Sequence, residues 1–250
     1  MLAAWAGALL VGLSLGLLGS GGSILTVPML VYIVGEPEKL AIAESLGIVG
    51  LISIAGFIPY SIKKQVQWRS VLFFGIPGMA GAYGGAFLSH YLSGTFQLLI
   101  FAVVMLAASV MMFRNNNTKI DEPGKTHDWW KVVLEGLGVG ILTGLVGVGG
   151  GFMIVPALVL LVGLPMHLAV GTSLAIITLN SVSGFFKYMD VLKSLDLRIN
   201  WHLIIIFALL GAVGSFVGRT IGTRLSQEKL RKGFAVFLVF MAAYIIFMNV

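Results

Sequence analysis

The chain has 250 residues, 58% of them apolar and 10% charged, with a formal charge of +6, 33 glycines and no cysteine. Soluble domains carry about 25% charged residues, so this composition excludes a soluble globular chain, and its hydrophobicity excludes a disordered one. The absence of cysteine removes disulfides, thiolate catalysis and Cys-based metal sites, and the positive charge reads as basic loops at a cytoplasmic membrane face rather than as a nucleic-acid surface.

Runs without Asp, Glu, Lys or Arg cover Met1–Gly35, Ser70–Phe113, Gly136–Phe186, Ile199–Gly218 and Gly233–Val250. A membrane helix needs roughly 20 apolar residues to cross about 30 Å of hydrocarbon. The longer runs therefore hold two segments each, and the polar remainder leaves no room for a soluble domain. The N-terminal stretch has no basic n-region, which argues against a cleaved signal peptide.

In chain order, the first predicted segment spans 2–34 and is broken by GLLGSGGS at 16–23. Its length fits either one kinked helix or two half-helices in a re-entrant hairpin. Helices follow over 40–60, which holds Glu44 and Ser45, and over 71–92 and 96–113. The stretch Arg114–Lys131 is rich in Asn, Pro, Gly and charge and reads as a linker, with Trp129 and Trp130 at the membrane interface. A second broken segment spans 132–162, with GLVGVGGG at 144–151. Then come 168–188, which holds Thr172, Ser173, Asn180, Ser181 and Ser183, and finally 203–222 and 232–249.

These segments form a repeat. At an offset of 128, 16 of the 31 positions in 16–46 match 144–174, including Gly19/Gly147, Gly21/Gly149, Gly22/Gly150, Pro28/Pro156 and Ser45/Ser173. Gly56 and Tyr60 then match Gly184 and Tyr188. At an offset of 133, Trp68, Gly78, Gly81 and Gly85 match Trp201, Gly211, Gly214 and Gly218. The expected organisation is a first transmembrane repeat over 1–113, a polar linker over 114–131 and a second repeat over 132–250. The fold class is all-α, integral to the membrane. If the first segment of each half enters and leaves on one side, Lys and Arg divide 12 to 4 between the faces; if all eight segments span, they divide 10 to 6. The positive-inside rule favours the hairpin and hence inverted halves.

The two glycine-rich breaks carry the functional reading. Non-helical backbone at membrane depth is tolerated where protein buries it or where it lines a polar cavity. A helix restarting near Ser23 or Gly151 points free N–H groups and a positive dipole end inward, which is an anion site. Two such breaks can meet at one midplane site in transporters built from repeats. The competing reading is tight packing, which suffices for the GxxxG pairs Gly12/Gly16, Gly81/Gly85, Gly140/Gly144, Gly214/Gly218 and Gly218/Gly222. Hydroxyl and amide groups on the second segments donate without charge, and Asn180 is a costly amide to leave alone in lipid. Glu44 reads either as an interfacial, paired carboxylate or as a proton carrier. Lys187 reads as snorkelling, and Arg219 and Arg224 as interfacial anchors. Gly12-Leu-Ser14-Leu-Gly16 matches G-x-S-x-G only by chance, since it lies in an apolar helix. His90, His127, His167 and His202 are dispersed and suggest no metal cluster.

The duplicated G-L-x-G-x-G-G motifs with V-P downstream, the stretch GTSLAIITLNS at 171–181 and the two-half layout resemble the TauE/SafE family, the sulfite exporter family of bacterial membrane proteins. The resemblance covers nearly the whole chain. It implies export of sulfite or organosulfonates across the inner membrane by a multi-pass protein, without enzymatic activity or cofactor. Together, the residues and the resemblance put substrate contacts at Gly19, Ser20, Gly21, Gly22, Ser23, Ser45, Gly147, Gly149, Gly150, Gly151, Thr172, Ser173 and Asn180, with Glu44 as the candidate for proton coupling. The first half departs from the pattern, with Ala43-Glu44-Ser45 where the second has Gly171-Thr172-Ser173. Expected partners are a small anion and the lipid bilayer, not nucleic acid, with a homo-oligomer left open. A small-anion channel is the main alternative, and a membrane-embedded enzyme or assembly factor the lesser one.

Overall fold

The computed structural model describes residues 2–18, 21–114, 129–160, 162–222 and 227–249. Among these the chain is helical, with no strand. Ten helices run in order. They are α1 (Leu2–Leu18), α2 (21–34), α3 (Glu38–Ile62), α4 (Trp68–Tyr91) and α5 (Gly94–Arg114), then α6 (Trp129–Val146), α7 (Gly151–Leu160), α8 (Met166–Ser194), α9 (Trp201–Gly222) and α10 (Gln227–Asn249). The expected apolar segments fall within a few residues of these bounds. Each long first segment is two helices, α1 with α2 and α6 with α7.

Among the described residues, five helices are long and apolar enough to cross a bilayer: Glu38–Ile62, Trp68–Tyr91, Trp129–Val146, Leu168–Ser194 and Trp201–Ile221. Their burial ranks them. Protein covers 67% of the apolar window of α3 and 61% of that of α8, against 39–44% for α4, α6 and α9. The centre of the molecule is therefore α3 against α8. Trp68, Trp129, Trp130 and Trp201 stand exposed at helix starts, as interfacial aromatics do.

Apolar burial does not by itself hold helices together in lipid; close packing does. The GxxxG glycines supply it. A Cβ on Gly12 or Gly16 would collide with the carbonyls of Gly211 and Ser215, and one on Gly214 or Gly218 with those of Leu9 and Leu13. α1 and α9 therefore lie backbone to backbone and run parallel. The same contact joins α6 to α4: Gly140 and Gly144 meet the carbonyls of Gly78 and Ala82, and Gly81 and Gly85 those of Leu137 and Ile141. The first helix of each half thus packs on the fourth helix of the other. α3 and α8 cross antiparallel, with Gly47 beside Phe185, Gly50 beside Ser181 and Gly56 beside Leu174. α2 folds back on α1, bringing Met29 against Gly7. α5 packs on α10, and Asn249 Nδ2 at the end of α10 donates to Tyr32 Oη of α2 at 2.6 Å.

Prolines shape the irregular turns. α2 opens as a 3₁₀ turn over Gly21–Leu25 and widens to a π-helical turn over Met29–Val34 just after Pro28. α4 carries a second π-helical turn, Val71–Gly75, ahead of Pro77, whose ring nitrogen has no proton for the preceding turn.

Candidate functional site

The second glycine cluster ends α6 and starts α7. Gly147, Gly149 and Gly150 have φ of +78°, +65° and +68°, a region that side chains with a Cβ rarely adopt. The chain leaves the helix here because these residues permit it. Of the amides that open α7, those of Met153 and Ile154 reach the Gly150 carbonyl at 3.0 Å. The amides of Gly151 and Phe152 have no acceptor inside the helix.

This break is wedged between the two central helices. A Cβ at Gly147 would meet Ile42 of α3. One at Gly149 would meet Val49 of α3 and Ile177 of α8, and would stand 3.0 Å from Ser181 Oγ. Ser45 Oγ donates to the carbonyls of Ile42 and Gly147, which ties the break to α3. Gly150 faces Thr143, whose hydroxyl donates back to the Val139 carbonyl at 2.8 Å. The two broken regions also approach one another. The turn Gly21–Leu25 packs on α7, and Ile24 and Val27 share one buried cluster with Val146 and Val148.

The α3–α8 crossing contains polar atoms that the protein leaves unanswered. Asn180 Oδ1 and Nδ2, Ser181 Oγ and Ser53 Oγ are buried without a hydrogen-bond partner among the described residues, and so is Thr26 Oγ1 of α2. All four residues are fully buried. Asn180 lies against α4, where a Cβ on Gly78 would meet its amide. Ser181 lies between Gly50 and Gly149. Leaving a buried polar group unpaired costs about 1–3 kcal/mol, and such groups call for an explanation such as a bound water or ion.

Of the residues expected at the site, Gly147, Gly149, Gly150, Gly151, Ser45 and Asn180 gather around the α3–α8 core. Gly21 and Gly22 lie in the turn that packs on α7, and Ser23 is buried within it. Gly19 and Ser20 lie outside the described residues. Ser173 Oγ donates to the Val170 carbonyl at 2.8 Å. Thr172 is eight residues from Asn180, about 12 Å along the helix. Its hydroxyl accepts the Gln67 N–H at 2.9 Å, just ahead of α4. Glu44 does the matching thing in the other half: Oε1 accepts the Asn200 N–H at 2.8 Å, just ahead of α9, while Oε2 has no partner among the described residues. So Glu44 and Thr172, which occupy matching positions with different chemistry, both anchor the start of a fourth helix.

Lys187 Nζ lies 5.4 and 5.3 Å from the ring centres of Tyr83 and Phe87 and 3.8 Å from an Asp190 oxygen. Arg219 does not simply face the interface. Its guanidinium lies over the ring of Tyr60, 4.5 Å from the centroid. His90 and His202 are exposed, and no cluster of potential metal ligands occurs among the described residues. Ser53 and Thr26 escaped the sequence reading. Ser53 does have a sequence signal, since it falls at the position matching Ser181 at the 128-residue offset.

Comparison with known proteins finds a family of membrane proteins. The family model described as "Sulfite exporter TauE/SafE" matches residues 4–245. A probable membrane transporter protein of Xylella fastidiosa is 34% identical over 248 residues, covering 95% of this chain and 91% of its own. The probable membrane transporter proteins MJ0441 of Methanocaldococcus jannaschii and YunE of Bacillus subtilis are 27% and 28% identical, over 88% and 86% of this chain and 85% of each of theirs. No solved structure matches.

Proposed function

Because the chain belongs to the TauE/SafE family, and is a multi-pass membrane transporter rather than an enzyme, we propose that it exports a small sulfur-containing oxyanion, sulfite or an organosulfonate, across the inner membrane. The anion binds where the glycine-rich breaks meet the α3–α8 crossing. Its ligands are Asn180, Ser181 and Ser53, the amides that open α7, and the matching turn Gly21–Leu25. Thr172, Ser173 and Ser45 line the way to it.

One observation carries this reading: neutral donors stand buried and unanswered beside a helix break, in a core with almost no charge. An anion accepts from them without requiring a counter-charge at membrane depth. The electrical gradient then favours outward movement, by about 2.3 kcal/mol per charge per 100 mV of inside-negative potential.

In this reading the two halves are inverted repeats, each with a glycine-broken hairpin followed by about three transmembrane helices. The antiparallel crossing of α3 and α8, which occupy matching places in the repeat, supports this, as does the exchange of first helices between halves. Rocking of one half against the other exposes the site alternately to each side. Glu44 is the residue for proton coupling, through its unpartnered Oε2. Glu44→Gln keeps an oxygen for the Asn200 amide, so the fold persists. The expected result is flux that no longer varies with pH; an unchanged pH profile removes Glu44 from the mechanism.

The direct test is efflux from proteoliposomes loaded in turn with sulfite, sulfoacetate or taurine. Saturable flux of at least one is expected. Correctly folded protein that moves none of them would sink the proposal.

A further inference from the structure

The repeat makes the two ends of the molecule alike in outline, and Arg219 departs from that likeness. At the end carrying Lys63 and Lys64, a cleft opens between α1, α3, α8 and α9, lined by Leu15, Gly56, Tyr60, Leu174, Ser215 and Arg219 among others. The Arg219 guanidinium stacks on Tyr60 within it. No described acid lies within ion-pair distance of Arg219. Ser215 is buried beside it. At the opposite end, the position matching Arg219 is Ala86, which is buried in one cluster with Tyr188, the residue matching Tyr60. Tyr188 Oη there accepts from Gln97 Nε2 at 2.9 Å and donates to the Leu145 carbonyl at 3.3 Å. Tyr188 is thus held by neutral partners, with no guanidinium at the matching position.

We propose that Arg219, oriented by Tyr60 and joined by the Ser215 hydroxyl, is the loading site for the transported oxyanion at the lysine-rich end. The proposal rests on the reading of the protein as an oxyanion exporter. A guanidinium presents paired N–H groups that match two oxygens of one oxyanion, and stacking on an aromatic ring fixes its plane. Carried on an inward-facing helix surface, it offers this fork to the cleft rather than to lipid. The cleft now has room for about one water molecule, which is its closed state; loading parts α9 from α3. The basic residues at this end raise the local anion concentration, and Arg219 selects from it. The positive-inside rule makes this the cytoplasmic end, the loading side for an exporter.

A lipid phosphate offers the same oxygens, so the test separates the two sources. Protein in phospholipid-free detergent is melted with sodium sulfite, with sodium chloride at equal ionic strength, and with added phosphatidylglycerol. Flux in proteoliposomes is measured against sulfite concentration on the loading side. Sulfite should raise the melting temperature of the wild type but not of Arg219→Gln. The KM should rise about tenfold in Arg219→Gln, the change expected for losing about 1.4 kcal/mol of binding, and less in Arg219→Lys. Equal sulfite shifts in wild type and Arg219→Gln, no shift in either, or stabilisation by phosphatidylglycerol alone would each overturn the loading site. If Arg219→Gln does not fold, Arg219→Lys and Ser215→Ala carry the test, with a raised KM expected and a wild-type KM in both overturning it. A wild type that shows the Arg219-dependent shift but no flux refutes the transport reading and not the anion site.

Discussion

Asn180 has two buried polar atoms without a partner among the described residues, in a helix packed on α3 and α4. A purely structural residue there would be apolar, as is Ile52, which stands at the matching position of the first half. Asn180→Leu removes two unsatisfied groups from the core and nearly preserves volume. It should therefore leave stability unchanged or raise it by about 1–3 kcal/mol, seen as a higher melting temperature in detergent, while abolishing anion flux. A variant that melts lower and transports normally would make Asn180 a packing residue. Asn180 was legible in the sequence because an amide in an apolar run stands out. Ser53 and Ser181 were harder to read, since serines commonly bond their own helix carbonyls, as Ser45 and Ser173 do in part here. Only the antiparallel crossing, which brings Ser181 between Gly50 and Gly149, distinguishes it. Glu44 and Thr172 were readable as polar and mismatched. Their acceptance of the Asn200 and Gln67 amides, across 156 and 105 residues of chain, was not.

Helix pairs carry the next set of tests. Glycines in α1, α4, α6 and α9 divide into those that touch another backbone and those that do not. Gly16 and Gly144 meet the carbonyls of Ser215 and Ala82, whereas a Cβ on Gly84 or Gly138 meets nothing within 4 Å. Gly16→Val and Gly144→Val should each destabilise by about 1–3 kcal/mol through overpacking. Gly84→Ala and Gly138→Ala should be neutral or stabilise by up to about 1 kcal/mol, because Ala favours helix. Thermal melts of the four variants check this, and similar losses in all four would contradict the contact pattern. At the break, Gly149→Val combines an unfavourable φ with contact on Val49 and Ser181. It should end transport while the protein still reaches the membrane; retained transport would leave the break a structural turn only. The broken segments, their positions and the GxxxG packing could all be read from the chain. Which helix each GxxxG face meets could not, because a small-residue stripe specifies close approach and not its partner.

At the scale of the whole molecule, the proposed inverted arrangement puts Lys63 and Asp196 on opposite membrane faces. The chain has no cysteine, so single cysteines at these two exposed positions can be labelled cleanly. Lys63→Cys should react only with a membrane-permeant thiol reagent in intact cells, and Asp196→Cys also with an impermeant one. Labelling of both from the same side would refute inversion. The 12-to-4 division of Lys and Arg anticipates that orientation, and the antiparallel α3–α8 crossing agrees with it. What charge counting could not reveal is that the halves exchange their first helices, so that each half is completed by the other. The neutral-donor site proposed at the centre of this scaffold is tested most directly by sulfite efflux from proteoliposomes of the purified protein under an imposed inside-negative potential, for wild type and Asn180→Leu. The expected result is saturable, potential-accelerated efflux by the wild type and background efflux by a well-folded Asn180→Leu. Equal efflux from both would contradict it.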